Sequence, residues 1–414
     1  MSGKSGKIEK ELEENKAYLR HVKRYVQAPV HRFAAVTPPE LSLLCKEELS
    51  ALGMPDLAIT EAGVEFSGDL SACYLSNLWL RTASRILCRL PAFRAGAAEE
   101  LFHKVCGVPW ELWLNRTLPL HVEAFVEHSR IEHEGVVADT VVAAVRKRFM
   151  LQKMEPPGRW KSDQDSTAEP ASLEPLKQRM LIHLKKNQCR ISLDTTGAHL
   201  HQRGYRRRHM GAPLRETLAA GIIMRSGWRG DSPLVDGMCG SGTFAIEAAL
   251  MGRHLPPGLS RPFLFEKWPA FQEKTWGYLC RKARENALPH SPVPIVGIDH
   301  DCEAIAVSRE NAFEAGVGED IRWINEDFFQ FHPRDLGLKP GLLLLNPPYG
   351  LRLEGGGKEL YAPLAIHLRR AFAGWHVAIL VPDRSLAVIM GLPSMRFWTI
   401  KHGGLSVMVG MTRL

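Results

Sequence analysis

Leu342-Leu343-Leu344-Leu345-Asn346-Pro347-Pro348-Tyr349 is an unbroken apolar run that ends in a rigid polar turn. Four consecutive leucines suit a central parallel strand, buried on both faces. Pro347 and Pro348 have no N–H to donate, so the ladder stops where they begin. In an open α/β sheet the carboxyl edge is where ligands bind. Here that edge would present the Asn346 amide, two peptide carbonyls and the Tyr349 ring, a set that suits a planar nitrogen base.

Working outward, strands and helices alternate from Pro233 onward: PLVDG, GTFAIEAALMG, PIVGID, CEAIAVSRENAFEAG, DIRWINED, GLLLLN, a helix around Ala362 to Ala373, and HVAILVPD. Such alternation predicts a doubly wound parallel sheet. Its first strand runs into Asp236-Gly237-Met238-Cys239-Gly240-Ser241-Gly242-Thr243. Gly240 and Gly242 allow a tight turn and close approach to a ligand, and the following helix offers free N–H groups to an anion. The dinucleotide pattern fails at its last glycine, and a P-loop would need Lys after Gly, so neither reading survives. The second strand ends at Asp299-His300-Asp301, where an acid can accept both hydroxyls of a ribose. The third ends at Asp327-Phe328, a carboxylate for an adenine amine and a ring to stack on it. Each signal has a plainer explanation. Asp301 caps the next helix, Asp327 ends a strand in a turn, and Cys239 fills space. Four such signals at the ends of four successive strands are together read as a site for S-adenosylmethionine beside a base-binding loop.

The whole chain has 414 residues, enough for two or three domains, and a net charge of +8 that favours an acidic partner such as nucleic acid. Its eight cysteines show no C-x-x-C pair and no zinc spacing, so free thiols and no metal are expected. No apolar segment suits a leader or a membrane span, which predicts a cytoplasmic protein with no membrane partner. Residues 1–30 form a charged extension, and the folded part is expected to begin near His31. The stretch 31–197 mixes helix and strand patterns, with CYLSNLWLRTASRIL read as helical, LPLHVEAFVEH as a strand and MLIHLKKNQCRISLDTTG as a hairpin. Glu155 to Pro175 is expected to be a long exposed loop.

With these residues in hand, the chain resembles the class I methyltransferases, and among them the THUMP-containing guanine-N2 RNA methyltransferases of the RlmL type. The likeness is carried by DGMCGSGTF at 236–244, NPPYGLRL at 346–353, and RGYR at 203–206 leading into APLRETLAAGII. FAAVTPPELSLLCKEEL, AGVEFSGDL and ISLDTTGAHLHQRGYR extend it through the first half. The resemblance implies a Rossmann-like domain with a mostly parallel seven-stranded sheet at 198–414. An α+β ferredoxin-like and THUMP RNA-binding region at 31–197 would precede it. It further implies S-adenosylmethionine as methyl donor, held by Asp236 to Thr243, Asp299, His300, Asp327 and Phe328. RNA is the implied partner, 23S ribosomal RNA or its precursor. Two departures are visible. Gly237 stands where the family usually has proline, which should loosen the loop, and the second methyltransferase domain of long bacterial members does not follow.

In this reading Asn346 and the Pro347 carbonyl accept the two N–H bonds of a guanine amine, Tyr349 stacks on the base, and Pro347 and Pro348 stiffen the loop. Arg203, Arg206, Arg207 and Arg208, with Arg146, Lys147 and Arg148 at a basic helix end, would grip RNA phosphates. The Asn-Pro-Pro-Tyr motif does not distinguish guanine N2 from adenine N6 or glutamine N5, so an adenine-N6 methyltransferase on DNA or RNA and a tRNA guanine-N2 methyltransferase stay open. A non-catalytic RNA-binding ribosome maturation factor is the rival of another class. The nucleotide modified and the oligomeric state are not legible.

Overall fold

The structure, a computed structural model, describes residues 16–27, 29–159, 176–206, 214–347, 358–382, 384–402 and 405–414. The 160–175 stretch of the expected loop, Arg207, Arg208, Pro348 and Tyr349 lie outside the described residues.

The first half forms one eight-stranded sheet of β1 (His31–Val36), β2 (Ala58–Thr60), β3 (Gly63–Gly68), β4 (Arg85–Arg89), β5 (Phe93–Arg94), β6 (Leu120–Glu127), β7 (Gln178–Lys185) and β8 (Gln188–Asp194). The order is β2-β3-β1-β4-β8-β7-β6, with β5 also on β8, and only β6 and β7 run parallel. Alternate residues such as Phe33, Ala35, Ile86, Cys88, Met180 and Ile182 enter a core with helices α1 (Ser42–Ala51), α2 (Leu70–Trp79), α3 (Ala98–Cys106) and α4 (Glu134–Leu151). That period of two places one face of every strand on the helices. The β7–β8 hairpin turns through Lys186 and Asn187, both at positive φ (51° and 62°), a turn geometry that matches the strands' twist.

Two expectations need correction. The stretch CYLSNLWLRTASRIL is not one helix. α2 ends at Trp79 and Leu80 turns extended (ψ 122°), because the Glu48 carboxylate takes the N–H groups of Arg81 (2.7 Å) and Thr82 (3.1 Å). Arg85–Arg89 then joins the sheet as β4. The folded part also begins before His31. Residues 16–22 are helical and lead into a π-helical turn, Lys23–Gln27, while Val22 and Val26 are buried in the first core.

The second sheet holds β9 (Leu234–Gly237), β10 (Ile295–Asp299), β11 (Ile321–Asn325), β12 (Leu342–Leu345), β13 (His376–Val381), β14 (Arg396–His402) and β15 (Leu405–Arg413). Its order is β11-β10-β9-β12-β13-β15-β14, parallel through β13, with β15 antiparallel to β13 and β14 antiparallel to β15. The helices are α5 (Glu216–Arg225), α6 (Thr243–Gly252), α7 (Glu273–Glu285), α8 (Cys302–Glu314), α9 (Lys358–Ala371) and α10 (Arg384–Met390). The four-leucine run serves two cores at once. Leu342 and Leu344 face the cluster with Ile246 and Ala249, whereas Leu343 and Leu345 face the one with Tyr361 and Leu368.

Between α6 and β10 the chain leaves the second sheet. Phe263, Phe265, Trp268 and Ala270 are buried in the core of the first half. Tyr74 of α2 meets Phe265, Phe271 and Trp276 at ring-centroid distances of 4.7, 5.9 and 6.1 Å. Backbone bonds from Leu264 to Thr196 O and from Phe265 to Thr195 O fix the excursion. The two sheets therefore share packing well beyond the chain crossing near residue 197.

Candidate functional site

Strand order reverses between β9 and β12, since β10 and β11 lie on one side of β9 while β12 and β13 lie on the other. The helix following each strand crosses on opposite faces at such a point, opening a crevice at the carboxyl edge. A cavity of about 710 Å³ lies there. Asp236, Met238, Cys239, Gly240, Ser241, Thr243, Asp299, His300, Asp327, Phe328 and Asn346 all line it, so residues singled out on four separate strand ends share one space.

The loop after β9 is held in an unusual shape. Met238, Gly240 and Gly242 all have positive φ (59°, 54° and 76°). For Met238 that conformation costs on the order of 1–2 kcal/mol, which surrounding bonds must offset. Cys239 N–H donates to Ile298 O (2.9 Å), and Gly240 N–H donates to Asp299 Oδ2 (2.8 Å). On the outer side, Ser308 Oγ donates to Gly240 O (2.7 Å) and Asn311 Nδ2 to Ser241 O (3.2 Å). These two buried α8 residues were not singled out from sequence. Their spacing of three on a helix following an acidic strand end was the available signal.

Gly237 and Gly242 do not line the cavity. They act by shape. A Cβ at Gly237 would come within 2.5 Å of Phe328 and 2.7 Å of Leu345, and one at Gly242 would come within 2.5 Å of Trp323. The idea that Gly237 loosens the loop is corrected here, because its missing side chain is the space occupied by the Phe328 ring.

The acids divide their work. Asp236 is 1% exposed and accepts Ala245 N–H (3.0 Å), tethering the first turn of α6 to the end of β9. Burial pushes its carboxyl up to about 8, the Asp299 carboxylate adding to the rise and the Ala245 bond opposing it. Asp299 accepts from Gly240 and, through Oδ1, from Asp301 N–H (3.0 Å). Asp301 caps α8 through Glu303 N–H (2.8 Å), and Asp327 caps the short turn Phe328–Gln330 through Phe329 N–H (3.1 Å). His300 is exposed at the rim with Nδ1 3.4 Å from Asp299 Oδ1. Phe328 stacks on Phe372 (5.6 Å between centroids, 21°) at the cavity wall.

Asn346 emerges from β12 into the same cavity, and Pro347 beside it is buried. Asn346 Oδ1 is buried and has no hydrogen-bond partner among the described residues. A buried acceptor left in that state costs about 1–3 kcal/mol, which a bound amine would relieve.

The proposed arginine grip needs correction. Arg203 is only 2% exposed and forms a two-point pair with Glu247 (Nε–Oε1 and Nη2–Oε2, both 3.3 Å), while also donating to Leu200 O and Arg81 O. Arg206 donates to Thr243 Oγ1 (2.7 Å) and Leu214 O (3.3 Å) and pairs with Glu216 (3.3 Å). Arg148 is held by both oxygens of Glu111. Arg203 and Arg206 are committed inside the protein, and the partly exposed Arg148 is tied to Glu111. Arg146 and Lys147 stand exposed on α4. Among the described residues no helix is long and apolar enough to cross a membrane.

Comparison with known proteins gives a consistent result. A family model described as the RMKL-like methyltransferase domain matches residues 203–409, and one described as the RlmL ferredoxin-like domain matches residues 32–87. The chain is 37% identical over 394 residues to the ribosomal RNA large subunit methyltransferase K/L of Syntrophotalea carbinolica, covering 92% of this chain and 53% of that protein. It thus spans about half the length of that relative. It is 30% identical to a putative RNA methyltransferase of Synechocystis, covering 90% of this chain and 96% of that one. Among solved structures, SMU.472, a putative methyltransferase complexed with SAH, superposes with a TM-score of 0.78 at 29% identity, covering 92% of this chain and 97% of the other.

Proposed function

The chain belongs to the RMKL-like methyltransferase family, and on that premise we propose that it transfers the methyl group of S-adenosylmethionine to the exocyclic N2 amine of a guanine in RNA. The proposed substrate is 23S ribosomal RNA or its precursor, methylated in the cytoplasm. The observation that carries this is the single cavity shared by the strand-end acids and Asn346.

The site suits this donor. A volume of about 710 Å³ falls within the roughly 300–1,000 Å³ of small-molecule sites, and its wall supplies carboxylates, the rings of Phe244, Phe328 and Phe329, and a left-handed loop. Asp299 would accept from the ribose hydroxyls, Asp327 from the adenine amine, and Phe328 would cover the base. Bound S-adenosylmethionine contributes an already activated sulfonium methyl. The chain's own task is to shape the acceptor. A guanine amine is a weak nucleophile because its lone pair is delocalised into the ring. Asn346 Oδ1 and the Pro347 carbonyl would accept its two N–H bonds, favouring a tetrahedral nitrogen with its lone pair aimed into the cavity. Tyr349, outside the described residues, is the proposed stacking partner. Holding the nitrogen about 3 Å from the methyl and in line supplies much of the rate.

A paired base cannot reach this edge, so the target must be unpaired or flipped, at a cost of a few kcal/mol. Exposed Arg146 and Lys147, together with Arg207 and Arg208, remain proposed phosphate contacts that offset it.

The test is to incubate the protein with labelled S-adenosylmethionine and undermethylated ribosomal RNA, then identify the labelled nucleoside by mass spectrometry. N2-methylguanosine in 23S RNA is expected. N6-methyladenosine, transfer to tRNA alone, or no transfer at all would each overturn the proposal in favour of a different reading.

A further inference from the structure

Helix α6 begins at the cavity and runs away from it, and three arginines from outside the parallel sheet hold it along its length. Arg81, next to α2, donates to Leu250 O (3.5 Å) in its last turn and to Leu255 O (2.6 Å) just beyond it. Arg203 pairs with Glu247 in its middle, and Arg206 bonds Thr243 Oγ1 at its first residue.

The third contact bears on chemistry. Thr243 and Leu214 line the cavity, and the Arg206 guanidinium bonds both without lining that cavity itself. A hydroxyl has one proton and two lone pairs. When Arg206 donates to Thr243 Oγ1, one lone pair is used and the hydroxyl's own proton is left to point elsewhere. Glu216, 3.3 Å from the same guanidinium, restricts where Arg206 can go. The positive end of the α6 dipole at Thr243 favours an anionic group nearby.

We propose that Arg206 is a positioning residue for the methyl donor: it fixes Thr243 so that the hydroxyl proton faces the cavity as a donor to the carboxylate of the donor's amino-acid tail. This rests on the reading of the cavity as a methyl-donor site. Arg206 would touch neither donor nor RNA.

S-adenosylhomocysteine is the probe, measured by calorimetry on the full chain. Arg206→Gln should weaken its binding about tenfold, the scale of one charge-assisted hydrogen bond. KM for the donor should rise by a similar factor while kcat stays within about twofold, because the contact holds ground state and transition state alike. Arg206→Lys should recover part of the loss. Thr243→Val should weaken binding comparably, and the double variant should be little worse than either single one. Unchanged affinity in Arg206→Gln, or a loss confined to RNA affinity, overturns the proposal. Should Arg206→Gln fail to fold, Thr243→Val carries the test, and wild-type affinity there overturns it equally. A wild-type chain that binds no S-adenosylhomocysteine would instead overturn the donor-site reading beneath it.

Discussion

Replacing Gly237 by alanine tests how tightly the donor cavity is built. The new methyl would sit 2.5 Å from Phe328 Cε2, 2.8 Å from its Cδ2 and 2.7 Å from Leu345 Cδ2. Ordinary contact begins near 3.4 Å, so the ring must retreat by about 0.9 Å. The open direction is into the cavity it lines, and moving there breaks its packing on the opposite side. Phe328 is 2% exposed, stacks on Phe372 at 5.6 Å and meets the edge of His367 at 5.3 Å. Leu345 can yield by a rotamer change, whereas the phenyl ring cannot yield without disturbing that stack. Overpacking of this kind costs about 1–3 kcal/mol. In a half of this size that corresponds to a melting point lower by about 2–12 °C. Because Phe328 lines the cavity, a displaced ring should also lose a stacking contact of about 0.5–1.5 kcal/mol, or roughly twofold to tenfold in S-adenosylhomocysteine affinity. Thermal melting and calorimetry read the two effects. Phe328→Leu added to Gly237→Ala should restore much of the stability and none of the affinity. A Gly237→Ala variant that melts and binds like wild type refutes the argument that this glycine exists to make room for the ring.

Three further outcomes are expected. Asn346→Ala should lower kcat by about 10²–10³-fold, the usual effect of removing one preorganised polar group, while S-adenosylhomocysteine still binds; turnover near wild type would rule out its assigned role. Arg203→Met should lower stability by about 3–5 kcal/mol by leaving Glu247 buried and unpaired, and pairing it with Glu247→Leu should recover much of that; an intact melting curve with weakened RNA binding would restore the surface-grip reading. Asp236 holds its proton up to about pH 8 in the fold but loses it near the ordinary carboxylate value when unfolded. The folded state therefore binds more protons between those limits, so this group costs the fold stability as pH rises from about 4 to about 8 and adds no further cost above. Asp236→Asn, which keeps an acceptor for Ala245, should flatten that slope in urea midpoints, and parallel slopes would contradict it.

The parallel half was legible because each strand announces itself twice, by an apolar run and by polar chemistry at its carboxyl end. Asp236, Asp299, Asp327 and Asn346 could be placed in one site from order alone, since consecutive parallel strands all end on the same edge. The arginine run misled because charge patterning assumes solvent unless a partner is visible. The partners of Arg203 and Arg206 are Glu247 and Glu216, both on helices in the apolar interior. The same limit explains the misread end of α2. Nothing near Arg81 and Thr82 in sequence stops a helix; the Glu48 carboxylate, more than thirty residues earlier, takes their N–H groups. Residues 263–276 gave no sign that they belong to the first core, because an aromatic-rich stretch shows what it wants to bury and not where.

That excursion has a consequence for how the chain is made. The last strand of the first sheet ends at Asp194, yet the rings that close over Tyr74 extend to Trp276. At about 5–20 residues per second, synthesis of the intervening eighty or so residues takes roughly 4–16 s. During that interval the Tyr74 face of the first half would lack the rings that cover it in the finished fold. Completion of the first core therefore waits on translation of the later half.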